Sequence, residues 1–574
     1  MAIVRFRPQH ALACRLSGGR GRDVSSSAVC AFCLLVISYF ATGQFAVAGA
    51  KEPACTPAPA GDPAHLDGGG ALDAEQLTAA IDAALAAAWQ RDEIQPAPPA
   101  DDAEFLRRVY LDVIGKIPSV AELQTFLADT TADRRRRVVD DLLGRGAHAQ
   151  HFANTWRGLM LAGAAENIEA QIQTPQFETW LRLRFATNKP YDALLSELLT
   201  APIEAAPQPN VNGRQRSFVP SPAAFFQANE QKPEQIAAST TRIFLGVQVQ
   251  CAQCHDHPFA HWTRREFWSL VAFFDKPPNE MKDAKPVAGS TNAIKIPETQ
   301  IVVEPAFLDG SAPDWASGGT KREMLSRWIT RADNPYFARA AVNRMWDHFL
   351  GRGFVHPVDD LDKANPPSHP ELFAEVSRQF ALHQFDLNYL VRAITATRAY
   401  QLSSRATATG DDDLAKFARM PLRRMTADQL FASIVQATGF REERRAAQRG
   451  VVLPDTTSAA AEFRNRFADQ SVPRTEAETS ILQALALMNG KLVSDATSLA
   501  NSETLVAVAD APFLKNDERV TSLFLATLSR PPATEELAQF VEYVDGGGAE
   551  KDSKKALADV FWALLNSAEF ALNH

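Results

Sequence analysis

Five residues near the middle of the chain carry the side chains best suited to chemistry. They read Cys251-Ala252-Gln253-Cys254-His255. Two thiols at this spacing can add to the two vinyl groups of one porphyrin, and the adjacent imidazole can then bind the iron. The sequence therefore predicts a c-type haem attached through Cys251 and Cys254, with His255 as the proximal ligand of the haem iron.

The residues that follow this motif leave a second kind of site open. His257 and His261 lie within seven residues of Cys254, and haem attachment requires neither of them. Together, Cys251, Cys254, His257 and His261 have the softness and the close spacing that suit a zinc ion. A redox disulfide between the two cysteines, or a purely structural turn, completes the alternatives.

Helical patterns on either side of the motif predict the elements that position it. Residues 233–245 read as a helix that leads to the motif, and residues 267–274 carry the apolar stripe of the helix that follows. We therefore expect the motif in the connection between these two helices.

Two local patterns predict details of the helices before the motif. Thr174 and Pro175 read as the N-cap and first residue of a helix, because proline is favoured where its missing N–H is not needed. Arg108 and Asp112 have the i,i+4 spacing of an ion pair on a helix surface.

The N-terminus predicts export. Five arginines precede position 23, no charged residue lies in 24–50, and Ala48-Gly49-Ala50 is a small-residue cleavage signal. This pattern is typical of a secretory signal peptide over residues 1–50, so we expect a periplasmic or extracellular protein. The uncharged stretch is also long enough to cross about 30 Å of hydrocarbon, so an uncleaved membrane anchor is the alternative.

Composition excludes two broad classes. The formal net charge is −9, and removing residues 1–50 would take away five arginines and one aspartate, which leaves the chain more acidic still. A nucleic-acid partner is therefore not expected. Beyond residue 50 only Cys55, Cys251 and Cys254 remain, too few for a disulfide scaffold in a protein of this size. The pair at 251 and 254 thus indicates a dedicated role.

The organisation of the whole chain is predicted as mainly α. After a flexible lead-in at residues 51–70, residues 71–275 form a helical domain that contains the motif. Residues 276–319 are rich in proline and glycine and lose the helical period, and residues 299–304 are their one clear strand signal. A second helical domain is predicted over residues 320–574. The fold class is therefore two helical domains joined by a Pro/Gly-rich connection with a little β structure.

The polar segment 359–371 looks like a site because it combines acidic residues with His369. Its plain explanation is a proline-rigid turn into a helix that Ser368 caps, with Glu371 completing a capping box. We therefore expect a structural role there.

The order of these segments resembles a known pair of families. Residues 105–118, 190–200 and 246–274 resemble the planctomycete-type secreted cytochrome-like domain (domain of unknown function fifteen-forty-nine). The second half resembles its usual companion, the planctomycete-type secreted domain (domain of unknown function fifteen-fifty-three), in the segments 334–371, 398–403, 421–426, 483–490 and 524–531. Unlike many relatives, this chain has no cysteine in 463–480.

The resemblance implies a cytochrome-like site and suggests a role in processing environmental polysaccharides, although the family has no settled activity. Two functions follow from the sequence. The first is an exported haem protein that transfers electrons or performs redox chemistry. The alternative is a non-haem extracellular protein that holds a structural zinc ion and acts in polysaccharide binding or processing. Either would work with other exported redox or polysaccharide-processing proteins, and whether the chain is an enzyme stays open.

Overall fold

Helices make up most of the structure, as the apolar periodicity predicts. The computed structural model describes residues 70–203, 219–275, 292–405, 412–440 and 490–574, together with Phe463 and Phe467. The predicted signal peptide and almost all of the predicted lead-in lie outside the described residues. The mainly α class with a little β structure is confirmed in the described part of the chain.

Ten α-helices of the described residues lie between the start of the described chain and the end of the motif region. They are α1 Ala74–Arg91, α2 Asp102–Ile114, α3 Val120–Ala128, α4 Arg134–Leu143, α5 Gly146–Met160, α6 Ile168–Ala186, α7 Tyr191–Thr200, α8 Ala224–Ala228, α9 Pro233–Thr240 and α10 Arg264–Val271.

Twelve further α-helices follow in the described residues after the motif region. They are α11 Lys321–Ile329, α12 Phe337–Leu350, α13 Pro370–Leu382, α14 Leu387–Ala396, α15 Asp412–Ala415, α16 Ala427–Thr438, α17 Lys491–Ala496, α18 Glu503–Asp510, α19 Asn516–Leu528, α20 Thr534–Asp545, α21 Ser553–Leu565 and α22 Ala568–Ala571.

Two small antiparallel sheets are the β structure of the described residues. Strand β1 (Ile294–Lys295) pairs with β2 (Val302–Val303), which lies within the predicted strand segment. Strand β3 (Arg423–Arg424) pairs with β4 (Leu572–Asn573), so the C-terminal residues pack beside the segment that precedes α16. This second pairing joins residues about 150 positions apart, which no local pattern could predict.

The start of α6 differs from the prediction. The helix begins after Asn167, whose side chain accepts a hydrogen bond from the Ala170 N–H at 3.0 Å. Thr174 is inside the helix, where its hydroxyl donates to the Ala170 carbonyl, and Pro175 is inside it as well. The prediction of an N-cap at Thr174 is wrong because Asn167 supplies a side-chain cap two turns earlier.

Helix α2 is buried on nearly every side, including its charged residues. Glu104, Arg107, Arg108 and Asp112 are all less than one tenth exposed. Arg108 pairs with Glu104 at 2.8 Å, and Asp112 pairs instead with Arg423 at 2.8 Å. The predicted Arg108–Asp112 pair is therefore wrong: both side chains face the interior, where Glu104 one turn earlier compensates Arg108 and the distant Arg423 compensates Asp112.

The apolar core is divided between two clusters. The larger one runs from Leu77 to Met420 and so takes residues from both predicted helical domains. The smaller one gathers residues from Met425 to Phe570, together with Leu111 and Ile117 of the first half. Shared packing does not test whether either part folds alone, so the predicted domain boundaries stay a prediction.

Candidate functional site

The chain reaches the motif from the predicted helix, which ends on a glycine. Helix α9 continues as a π-helical turn, Thr241–Leu245, and stops at Gly246 with φ of +66°. A side chain would be strained in this left-handed conformation. It would also crowd Leu361, since a Cβ at this position would lie 2.8 Å from Leu361 Cδ1 unless that side chain moved.

The two thiols lie on a single short turn. A 3₁₀ turn covers Gln250–Gln253 and ends at Cys254, and both Cys251 and Cys254 are exposed free thiols. Side chains three residues apart project from the same side of a 3₁₀ turn. Ala252 between them is fully buried, so it anchors the turn to the core. One ligand in solution could therefore reach both sulfur atoms.

Helix α10 holds this turn in place. The Gln253 carbonyl accepts hydrogen bonds from Trp268 Nε1 at 3.0 Å and from Arg264 Nε at 3.2 Å. The Arg264 backbone N–H donates to Asp256 Oδ1 at 2.7 Å. A capping box formed by Thr263 and Glu266 begins the helix. Rigid elements thus position the turn, which is the requirement for a preorganised site.

His255 presents one ring nitrogen outward. Its Nδ1 lies 2.7 Å from the backbone carbonyl oxygen of Asp256. Because a carbonyl oxygen can only accept, Nδ1 carries the proton and Nε2 holds the lone pair of the neutral imidazole. When a histidine binds a metal through one ring nitrogen, a hydrogen bond from the other ring N–H to a carbonyl orients the ring and raises its basicity. His255 is exposed, so Nε2 can take a ligand from outside.

His257 has the opposite arrangement. Its Nδ1 accepts hydrogen bonds from the backbone N–H groups of Phe259 at 3.2 Å and Ala260 at 2.8 Å. The neutral ring must therefore carry its proton on Nε2, and neither nitrogen offers a free lone pair. The backbone N–H of His257 also donates to the Trp262 carbonyl at 2.8 Å. His257 thus organises the loop that follows the motif.

His261 points to another part of the chain. Its ring lies on Trp262, with 4.1 Å between ring centroids, and its Nδ1 is 3.5 Å from Asp362 Oδ2. Over the described ranges, no group of three or more His, Cys, Asp or Glu side chains is arranged to hold a metal ion. The residues proposed for haem therefore share one turn, whereas those proposed for zinc are not gathered into a ligand set.

Sequence reasoning missed several residues that shape this site. Asp256, Arg264 and Trp268 fix the turn, and Asp362 faces His261. Asp256 lies inside the motif region and could have been weighed. Nothing local indicates Asp362, because it lies about 100 positions away along the chain.

The segment 359–371 forms the turn expected before α13, with one correction to its cap. Asn365 Nδ2 donates to the carbonyls of His356 at 3.2 Å and Asp360 at 3.1 Å, which closes the turn. The N-cap of α13 is His369, and no side chain caps it. The predicted Ser368–Glu371 capping box is therefore wrong, because Pro370 is the first helical residue and moves the cap one position along.

The donor set of the turn fits a covalently held haem. Both thiols are free and exposed, and the adjacent imidazole presents Nε2 with its lone pair. A zinc ion fits less well. The Nδ1 lone pair of His257 already accepts two backbone hydrogen bonds, and its Nε2 carries the proton, so neither nitrogen can bind the ion in this form.

The fold and the site define a mainly α protein that presents a C-x-x-C-H turn at its surface. Comparison with known families places it further. PSCyt2, a protein family of unknown function (DUF1549), matches residues 80–278, and PSD1, a protein family of unknown function (DUF1553), matches residues 321–544. The chain belongs to the proteins that carry these two families in this order, so the resemblance seen in the sequence is confirmed.

Two further comparisons were negative: no curated protein and no solved structure matched the chain. Within the described residues, none of the helices combines the length and the apolar character that a membrane span requires.

Proposed function

We propose that this protein is an exported c-type haem protein. Cys251 and Cys254 would form the two thioether bonds, and His255 Nε2 would bind the iron. A haem bound in this way supplies electron transfer or other redox chemistry. Export is proposed from the predicted signal peptide, and the partners would be other exported redox or polysaccharide-processing proteins.

The observation that carries the proposal is the contrast between the two neighbouring histidines. At His255 a carbonyl accepts from Nδ1 and leaves Nε2 able to bind a metal. At His257 two N–H groups donate to Nδ1 and leave no lone pair. The histidine that haem attachment requires is thus in the ligand form, and the one that only zinc requires is not.

The roles of this chain's residues follow from that contrast. Asp256 has two: its carbonyl fixes the proton on His255 Nδ1, and its carboxylate accepts the N–H that begins α10. Trp268 and Arg264 hold the Gln253 carbonyl and keep the two thiols on one turn. These contacts would orient the proximal ligand before the cofactor arrives, which lowers the ordering cost of attachment.

The test is a spectrum of the mature protein purified from a host that attaches haem c. The expected result is one haem for each chain by pyridine haemochrome assay, with colour that resists extraction into acid acetone. Cys251→Ala together with Cys254→Ala should abolish the covalent haem. His257→Asn is the matched control: its amide oxygen is bonded to Cγ, as Nδ1 is, and can replace Nδ1 as acceptor, so this variant should keep its haem.

A colourless wild-type protein would refute the proposal. Stoichiometric zinc in that protein would favour the alternative, a non-haem extracellular protein with a structural metal that acts on polysaccharides. A colourless and metal-free protein that keeps its fold would leave the disulfide or the purely structural turn.

A further inference from the structure

A loop from the second family region contacts the motif region from both sides. We define this acidic loop as residues 359–362. The Leu361 N–H donates to the Gly246 carbonyl at 2.8 Å, and Gln248 Nε2 donates to Asp359 Oδ1 at 3.0 Å. Asp362 lies 3.5 Å from His261, on the other side of the cysteines. The acidic loop therefore contacts residues that precede the turn and a residue that follows it in the sequence.

The close approach at Gly246 makes this contact specific. Glycine is required there by its positive φ, and also because a Cβ added at this position would lie only 2.8 Å from Leu361 Cδ1. Ala340 of α12 closes the same space, since its own Cβ would be 3.3 Å from the added atom. Two segments of the second family region thus hold the end of the helix that leads to the motif.

The carboxylate of Asp362 is the least satisfied group in the acidic loop. Its Oδ1 accepts from the Ala364 N–H at 2.9 Å. Its Oδ2 is shielded from solvent and has no hydrogen-bond partner among the described residues. A buried carboxylate oxygen is costly to leave without a partner. The group that faces this oxygen is the ring of His261, whose Nδ1 lies 3.5 Å away.

His261 transmits this contact to the loop after the motif. The ring of His261 packs on the ring of the next residue, Trp262. The Trp262 carbonyl accepts a hydrogen bond from the backbone N–H of His257. His257 in turn holds the N–H groups of Phe259 and Ala260. A change at Asp362 therefore reaches the backbone next to His255 through a short chain of contacts.

We propose that Asp362 is a positioning residue: acting through His261, it holds residues 255–262 in the shape that presents the His255 ligand, so the second family region completes the site of the first. The proposal deepens the haem function and rests on it for its cofactor readouts. Its conformational readout is independent of haem.

The experiment compares Asp362→Asn, His261→Gln and the double variant in the full-length chain. Amide hydrogen exchange at His257 and Ala260 should be about threefold to fivefold faster in each single variant, since one partly exposed contact between His261 and Asp362 is lost. The double variant should exchange no faster than the singles, because both changes remove the same contact.

Asp360→Asn is the matched control. It removes the same charge from the same loop, but the contact of Asp360 Oδ2 is with Asn365 Nδ2, at 3.2 Å, within its own turn. Its exchange should equal that of the wild type. In the haem-loaded proteins, Asp362→Asn should lower the fraction of chains with covalent haem and shift the midpoint potential, whereas Asp360→Asn should change both far less.

Equal effects of Asp362→Asn and Asp360→Asn would overturn the proposal, and so would additive effects of Asp362→Asn and His261→Gln. If the wild-type protein binds no haem, the proposed function fails, but the exchange comparison still decides whether Asp362 positions the loop.

Discussion

Replacement of Asp112 by Asn should destabilise the protein strongly, although it changes only one atom of a side chain. Asp112 is fully buried in α2. Its carboxylate accepts from Tyr400 Oη at 2.9 Å, from Arg423 at 2.8 Å and from Asn573 Nδ2 at 2.8 Å. Every partner donates in this arrangement, so an asparagine amide could accept only part of these hydrogen bonds and would lose the negative charge.

The magnitude follows from the charge that remains. Arg423 is 1% exposed, and Asp112 is its ion-pair partner. Removing one partner of a buried ion pair typically costs about 3–5 kcal/mol, because the other charge is left uncompensated. At about 1.4 kcal/mol for each factor of ten, this is roughly a thousandfold in the unfolding equilibrium. Tyr400→Phe is the control: it removes one neutral donor and should cost about 1 kcal/mol.

The assay is chemical unfolding of the full chain, followed by tryptophan fluorescence at pH 7, with hydrogen exchange as a second measure if unfolding is irreversible. The reasoning would be refuted if Asp112→Asn cost no more than Tyr400→Phe. That result would mean that water or a shifted side chain compensates Arg423.

Three further predictions concern stability. Gly246→Ala should lower the melting temperature more than Gly310→Ala, because both glycines have positive φ but only Gly246 lacks space for a Cβ; equal losses would contradict the crowding. Burial, with nearby positive charge, lowers the pKa of His369 to about 4, so below pH 6.5 the unfolded chain binds a proton that the folded chain does not. The unfolding free energy of the wild type should therefore fall relative to that of His369→Gln between pH 6.5 and 4, and parallel pH profiles would argue against it. Burial raises the pKa of Glu197, but hydrogen bonds from Arg184 and its neighbours outweigh it and hold the pKa at about 2; Glu197→Gln should destabilise the protein at pH 7, and the loss should disappear as the pH falls from 4.5 towards 2.

Much of the candidate site could be predicted, because its donor atoms are neighbours in the chain. Cys251 and Cys254 lie on one short turn, His255 follows it directly, and helices precede and follow this segment as the apolar periodicity indicated. The role of His257 could not be predicted, because its ring is held by backbone N–H groups that only the folded loop brings to Nδ1.

The errors in the fold have a common origin. Arg108 and Asp112 are correctly spaced for a surface pair, but α2 is buried: Arg108 pairs with Glu104 on the same helix and Asp112 pairs with the distant Arg423. The caps expected at Thr174 and Ser368 are real sequence signals that were outcompeted by Asn167 and displaced by Pro370. A local pattern names a possible partner, and tertiary packing selects among the candidates.

By itself the sequence determined the mainly α class, the pair of families and the atoms available for a cofactor. These depend on periodicity and spacing, which are properties of residues close together in the chain. Only the tertiary structure decided which histidine nitrogen carries a proton, that Asp362 faces His261, and that the charges of α2 are buried. The histidine contacts depend on the folded shape of a local loop. The other two facts depend on groups brought together from distant segments, where burial makes a missing partner costly.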